Sequence, residues 1–223
     1  MNIETRPDKT FISFSKQMTC ISSAIFGGGI KKNILTVANV TIPTDLNVPV
    51  ALMPDYCRKT ISLSGYHPRS SVVLLTAVPQ IYLGYSKCHR CLVTAGLSNV
   101  RPLIPKGIWK DVWDEKTGKF TPYSPGTINC IICLNDNLSS SALVEGYGIA
   151  KMTIAEVVKD WCKQNNKIPC VGTQTDCTAL LCPQNGPQLK FASLGTKISA
   201  DISVMVRDAT INAISHKYPN YRG

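Results

Sequence analysis

Histidine is nearly absent, with His67, His89 and His216 the only three in 223 residues. His67 precedes Pro68 in a loop and His216 closes a helical stripe, so a Ser-His-Asp triad has few members to draw on. Aromatic residues make up 7% of the chain and no basic run is longer than a pair (Lys31-Lys32, Arg58-Lys59). The row of cations with interleaved rings that a nucleic-acid groove needs is therefore missing. No apolar stretch approaches the roughly 20 residues that span a bilayer. The phosphate-loop, dinucleotide, zinc-protease and nucleophile-elbow motifs are all absent, which excludes the commonest nucleotide, protease and esterase signatures. Met1 to Lys9 is polar and holds Glu4 and Asp8, so it has neither the apolar centre of a signal peptide nor the acid-poor pattern of a transit peptide. These absences lead to the expectation of a cytoplasmic protein with no membrane or nucleic-acid partner, whose thiols stay reduced.

What the chain does have is enough apolar material for one core: 44% of residues are hydrophobic. The formal charge of +10 is unevenly spread, with +6 in residues 1–100 and −1 in residues 126–189. A solvated basic surface accounts for it. We expect a single compact domain over residues 10–216, flexible ends at 1–9 and 217–223, and room for homo-oligomerisation.

The first half reads as strands. Thr10 to Ser15 alternates; Thr19 to Phe26 runs into Gly27-Gly28-Gly29; Asn33 to Val40 is β-branched and apolar. Ser71 to Ala77 and Cys91 to Ala95 are unbroken apolar runs, as expected of strands covered on both faces. Arg101 to Pro125, with four prolines and two tryptophans, is a long connection of the kind that usually has a function.

The second half changes period. Thr127 to Leu134 is a strand, after which Leu143, Tyr147, Ala150, Ile154, Val157 and Trp161 step by three or four, the stripe of an amphipathic helix over about 139–164. Gly146 and Gly148 each cost that helix up to about 1 kcal/mol relative to Ala, so either close packing or a bulky ligand requires the missing side chain. Strands near Cys177 to Cys182 and Gln188 to Ala192 precede a last helix, about Lys197 to His216, capped by Thr196. The fold class is α+β: a mixed, largely antiparallel sheet covered by two long helices.

Ten cysteines include two Cys-x-x-Cys pairs, Cys88/Cys91 and Cys130/Cys133, a spacing that zinc sites use. Residues three apart on a strand point to opposite faces, and both pairs run with apolar strands. Buried free thiols are the better reading, and no metal site is assigned.

Small polar clusters stand where strands end. Thr94-Ala-Gly96-Leu-Ser98-Asn99 leaves a strand, Gly126-Thr127-Ile-Asn129 enters one, Gly172-Thr173-Gln-Thr175-Asp176 precedes another, and Gly195-Thr196-Lys197 opens a helix. Each is ordinary turn chemistry. Together they supply hydroxyls, carboxamides, exposed N–H groups and one carboxylate, which suits a neutral, amide-rich ligand.

At these clusters the sequence resembles the adenosylcobinamide amidohydrolase family of corrinoid salvage. In order stand Gly27 to Gly29, Leu74 to Ala77, Thr94 to Asn99, Gly126 to Asn129, Leu138 to Val144, Gly172 to Asp176 and Gly195 to Lys197, spanning about residues 10–215. It departs from the family pattern at Gln174, in place of a glycine, at Ile149, in place of an acid before Ala150-Lys151, and at Asp201, an aspartate in place of a glutamate in the last helix. The resemblance implies hydrolysis of the amide between a corrin propionate and aminopropanol, giving adenosylcobyric acid. The cobalt would belong to the substrate, with no protein metal or cofactor required. The alternative is a corrinoid-binding or trafficking protein without catalysis. Amide hydrolysis needs an activated nucleophile, a proton for the amine and donors for the oxyanion. The candidate base is Asp176, acting on water or on Thr173 or Thr175; Lys151 or Lys197 would stabilise charge or protonate the leaving group. Gly28, Gly29, Thr94, Gly96, Ser98, Asn99, Gly126, Thr127, Asn129, Gly172 and Thr196 are the expected substrate-binding residues.

Overall fold

Apolar runs of the right length build a sheet that closes over its own inner face. The computed structural model describes residues 1–43, 50–104 and 126–223; most of the long connection after Arg101, and the Pro49 break, lie outside them. Lys9–Ser22 (β2) and Gly29–Thr41 (β3) form a long antiparallel hairpin whose register shifts on either side of Met18. Asn2–Arg6 (β1) adds antiparallel to the first half of β2. Met53–Leu63 (α1), with Pro54 in its first turn, buries Cys57 and Ile61 against Phe11, Ala38, Val40 and Val73.

Ser71–Thr76 (β4) runs parallel to β3, and Tyr82–Ser86 (β5) pairs antiparallel with His89–Ala95 (β6). Ile128–Cys133 (β8) lies antiparallel to β6 and parallel to Cys177–Pro183 (β11). The connection between those two parallel strands carries Ser140–Gln164 (α2), as a parallel pair requires. Short pairs complete the set: Val100–Arg101 (β7) with Gly172–Thr173 (β10), and Asn137–Leu138 (β9) with Gln188–Leu189 (β12). The sheet order is β4-β3-β2-β11-β8-β6-β5, with β1 also on β2. Lys197–Lys217 (α3) ends the fold.

Both long helices start where a hydroxyl satisfies the first free amides. Ser139 Oγ accepts from Ala142 N at 3.2 Å, and Thr196 Oγ1 accepts from Ser199 N at 3.3 Å. On one face of the sheet Val93, Cys130, Ile132 and Leu180 pack under α2 and α3 with Ile149, Ile154, Trp161, Ile202 and Met205. On the other, Leu92, Ile131, Ala179 and Leu181 meet Ile12, Ile34, Val37, Val72 and Leu74. The sheet curls until β4 lies over β8. Asn129 Nδ2 donates to Leu75 O at 2.9 Å and to Asn39 Oδ1 at 2.7 Å across that inner space.

The α+β reading with a mixed, mainly antiparallel sheet describes this architecture; the added element is a third, shorter helix, α1. Cys130 packs under the helices while Cys133 faces the inner core, as their spacing on a strand requires. All ten thiols are free, nine of them buried and Cys88 exposed. At the ends expected to be flexible, the chain is anchored. Tyr66 Oη donates to Glu4 Oε2 in β1 at 3.0 Å, and Tyr221, 3% exposed, donates to Asp160 Oδ2 at 3.3 Å. Among the described residues no helix is long and apolar enough to cross a membrane.

Candidate active site

The starts of β8 and β11 and the end of β6 meet at one end of the sheet, because β6 is antiparallel to its two neighbours in the order. Three of the four polar clusters are thereby brought together. Gly96 N donates to Thr127 O (2.9 Å), Thr127 Oγ1 to Thr175 O (2.8 Å) and Thr175 Oγ1 to Gly126 O (3.1 Å). The β7–β10 ladder joins the loops again, with Arg101 opposite Gly172 and Val100 opposite Thr173. Gly126 permits the closeness: a Cβ there would stand 2.5 Å from Asn99 Oδ1, 2.7 Å from Ser98 Oγ and 2.9 Å from Gly96 O. At Gly172 a Cβ would stand 2.4 Å from Asp176 Oδ2.

Asp176 is the centre of this rim. Its Oδ1 accepts from Ile128 N at 2.8 Å and from the Thr173 hydroxyl, and its Oδ2 accepts from Thr173 N at 2.8 Å. Burial raises its pKa above the ordinary aspartate value, working against the Thr173 hydroxyl and amide, the Ile128 amide and the positive charge of Lys151. Of the two threonines considered as partners, Thr173 is on the carboxylate, whereas the Thr175 hydroxyl is turned to Gly126. Lys151, on α2, is the cation whose charge reaches Asp176.

Other expected residues lie elsewhere. Thr94 and Asn129, each 1% exposed, belong to the inner space; both Asn129 amide hydrogens are taken by Asn39 and Leu75, so they are not available to an oxyanion. Gly29 pairs with Ser22, and Gly28 packs on Ala24 O, at the same end of the sheet but on the far side of β2. Thr196 and Lys197 are at the opposite end. The far end of α3 is the one near the rim, where a Cβ on Gly96 would be 3.7 Å from Lys217 Nζ, and a 21-residue helix is about 30 Å long. Thr196 is thus a helix cap, and Lys197 has no path to Asp176.

The rim also includes residues that the sequence did not single out. Ser23 Oγ accepts from Thr178 N at 3.2 Å and lies 3.8 Å from Cys177 Sγ, beside Asp176 in the chain. Burial pushes the Cys177 thiol up to about 11, so it is neutral. Lys217 and Arg101 enter only through α3 packing and the β7–β10 ladder, for which no local pattern exists. Of the residues at the two main departures, Ile149 is 3% exposed within the helix-side core and Gln174 faces Arg101.

A half-buried carboxylate holding a hydroxyl, with a cation acting on it and small polar residues around it, is equipped for proton transfer at a neutral polar ligand. Residues 1–221 match the family described as adenosylcobinamide amidohydrolase (CbiZ). A search of curated proteins finds no match. Since that match runs from β1 through the last turn after α3, with the three convergent loops inside it, the chain belongs to the adenosylcobinamide amidohydrolase family.

Proposed function

We propose that the chain hydrolyses the amide joining a corrin-ring propionate to aminopropanol in adenosylcobinamide, releasing adenosylcobyric acid and aminopropanol. Family membership supports the reaction class. The observation that carries the assignment of residues is the hydrogen bond from the Thr173 hydroxyl to the Asp176 carboxylate at the rim. Asp176 is the base. It takes the proton from a water beside the Thr173 hydroxyl as the water oxygen attacks the amide carbon, or from the Thr173 hydroxyl itself; in the second case the threonyl ester left when the amine departs is cleaved by a water that Asp176 deprotonates, which frees the acid and returns the proton to Thr173. Lys151 offsets the negative charge of the tetrahedral intermediate and supplies a proton to the departing amine.

Thr175, tied to Gly126 and Thr127, shapes the loop rather than reacting. Thr196 and Lys197 take no part. Gly96, Ser98, Asn99, Gly126, Thr127 and Gly172 line the approach to the carboxylate, and the cobalt arrives within the corrinoid. The reaction in this form needs no protein metal or cofactor, and the setting is the cytoplasm.

The test is to incubate the pure chain with adenosylcobinamide and look for adenosylcobyric acid and aminopropanol in equal amounts. Tight binding without either product would reject hydrolysis and leave a corrinoid-binding protein.

A further inference from the structure

A groove runs away from Asp176 along the helix side of the sheet, between α2 and the open end of the β2–β3 hairpin. Strand pairing sets its floor. Ile21 lies opposite Ile30, and residues directly opposite on an antiparallel pair share a face. Ile21 packs against the helix-side core, so Ile30 points to that side too. There α2 packs on β11 and touches β2, and α3 packs on β5 and β6. Ile30, on the second strand from β11, is left 51% exposed. The wall is one flank of α2. Gly146 faces Ile202 of α3, and Asp160 accepts from Tyr221 just beyond α3. At 3.6 residues per turn, Val144, Gly148 and Lys151 lie about 140–200° round the helix from Gly146, turned from α3 toward β2. Val144 is 49% exposed, and a Cβ on Gly148 would meet nothing within 4 Å.

The groove is continuous with the reacting groups. Lys151 carries its charge to both Asp176 and Cys177. Ser23 accepts from Thr178 N at 3.2 Å and its own amide donates to Thr178 O at 3.1 Å, which fixes it across from a residue two places after Asp176. Ile21 is about 7 Å further down the same strand. A broad molecule held at Asp176 has to lie over some part of the surface. The inner face is closed, with Thr94 and Asn129 each 1% exposed, and on the α3 side Lys217 stands over Gly96. The hairpin side offers an apolar floor and a wall whose glycine costs α2 up to about 1 kcal/mol without serving its packing. We propose that this groove holds the face of the corrin macrocycle, lying over Ile21 and Ile30 against Gly148, with the amide-bearing side chain at the ring's edge reaching Asp176. The occupant rests on the corrinoid reading above. Either direction of the amide across Asp176 is compatible with this placement.

The experiment reads affinity and contact separately. Dissociation constants for adenosylcobinamide and adenosylcobyric acid come from the corrinoid's visible absorption. Both molecules carry the ring, so Gly148→Leu and Ile30→Lys should each weaken both by at least tenfold; thermal unfolding confirms that each variant is folded. For contact, Ile30→Cys is made in the Cys88→Ser background, which removes the one exposed thiol. Saturating adenosylcobinamide should slow its alkylation by a maleimide at least tenfold, whereas Val204→Cys on α3, where the side chain is 51% exposed, should react equally fast with and without it. Unchanged dissociation constants, or a Cys at position 30 that the corrinoid does not protect, would overturn the groove. So would a loss confined to the amide, which would assign the groove to the aminopropanol arm, or a loss produced by Leu103→Ser and not by the groove variants, which would put the ring on the β7 side of the rim. Turnover is scored apart: wild type that binds the corrinoid without releasing aminopropanol ends the hydrolase reading and leaves the binding outcomes to decide the groove. Wild type that binds neither corrinoid overturns both.

Discussion

Asp176 holds Thr173 twice, by the amide at 2.8 Å and by the hydroxyl, and so closes the loop between β10 and β11 onto itself. The same carboxylate reaches Ile128 N at the start of the neighbouring strand. One side chain is thus both the brace of three chain segments and the base of the proposed reaction.

Asp176→Asn separates those two roles. The carboxamide keeps an acceptor oxygen for some of the three donors but cannot take a proton, so turnover of adenosylcobinamide should fall by at least about a hundredfold. Stability should drop by about 1–3 kcal/mol for the donor left unmatched. Steady-state kinetics beside a urea unfolding curve measures both, and near-normal turnover in a folded variant would remove Asp176 from the mechanism.

The two threonines of the loop should behave differently. Thr173→Ala removes the hydroxyl on the carboxylate and is expected to lower kcat/KM by about a hundredfold or more, with Thr173→Ser recovering most of it. Thr175→Val loses only the bonds of a loop hydroxyl, costing about 1 kcal/mol of stability and less than tenfold in kcat/KM. Equal losses at both positions would contradict the pairing.

Acid dependence follows from the burial of Asp176. The folded chain holds this proton more tightly than the unfolded one, so the carboxyl's contribution to stability is complete below 3.8 and is lost as pH rises through the raised folded value. A base must be ionised, so the acid limb of kcat/KM should lie above 3.8. Lys151 pulls that pKa down, so Lys151→Gln should move the limb further toward neutrality; a limb left in place would show that the base is another group.

Gly146 and Gly148 were both expected to need their missing side chain, and the structure divides them. An added methyl at Gly146 would stand 3.1 Å from Ile202 Cδ1 and 3.4 Å from Leu180 Cδ1, while at Gly148 nothing lies within 4 Å. Gly148→Ala should therefore stabilise α2 by up to about 1 kcal/mol, or about 2–4 °C in Tm. Gly146→Ala should gain less or lose stability. If Gly148→Ala raises Tm but weakens corrinoid binding, the open space over α2 belongs to the ligand.

Strands such as Ser71–Thr76 and Ile128–Cys133 were legible because the unbroken apolar run of four inside each, Val72 to Leu75 and Cys130 to Cys133, needs no distant partner to be recognised, and the caps Ser139 and Thr196 were legible for the same local reason. Pairing was not. Nothing near Cys177 says that β11 will lie between β2 and β8, and α1 was missed because its short apolar stripe is interrupted by charged residues. The site shows the same limit. Glycine, threonine and asparagine at strand ends pointed to Gly126 and Thr173, yet the same composition at Gly195 to Lys197 caps a helix at the other end of the molecule. Asn129 looked like a rim donor until its partner Asn39, ninety residues away in sequence, took its amide.

The ten free thiols, one on the surface and nine inside, make the chain its own reporter of opening. A maleimide should attach rapidly once per molecule, at Cys88 in the turn between β5 and β6, at the opposite end of the sheet from Asp176. The nine remaining sites should react only as fast as the strands and helices that shelter them come apart, so a mass spectrum taken over time would count unfolding events directly. With Cys88→Ser the rapid step vanishes, and the slow series alone gives the lifetime of the folded state.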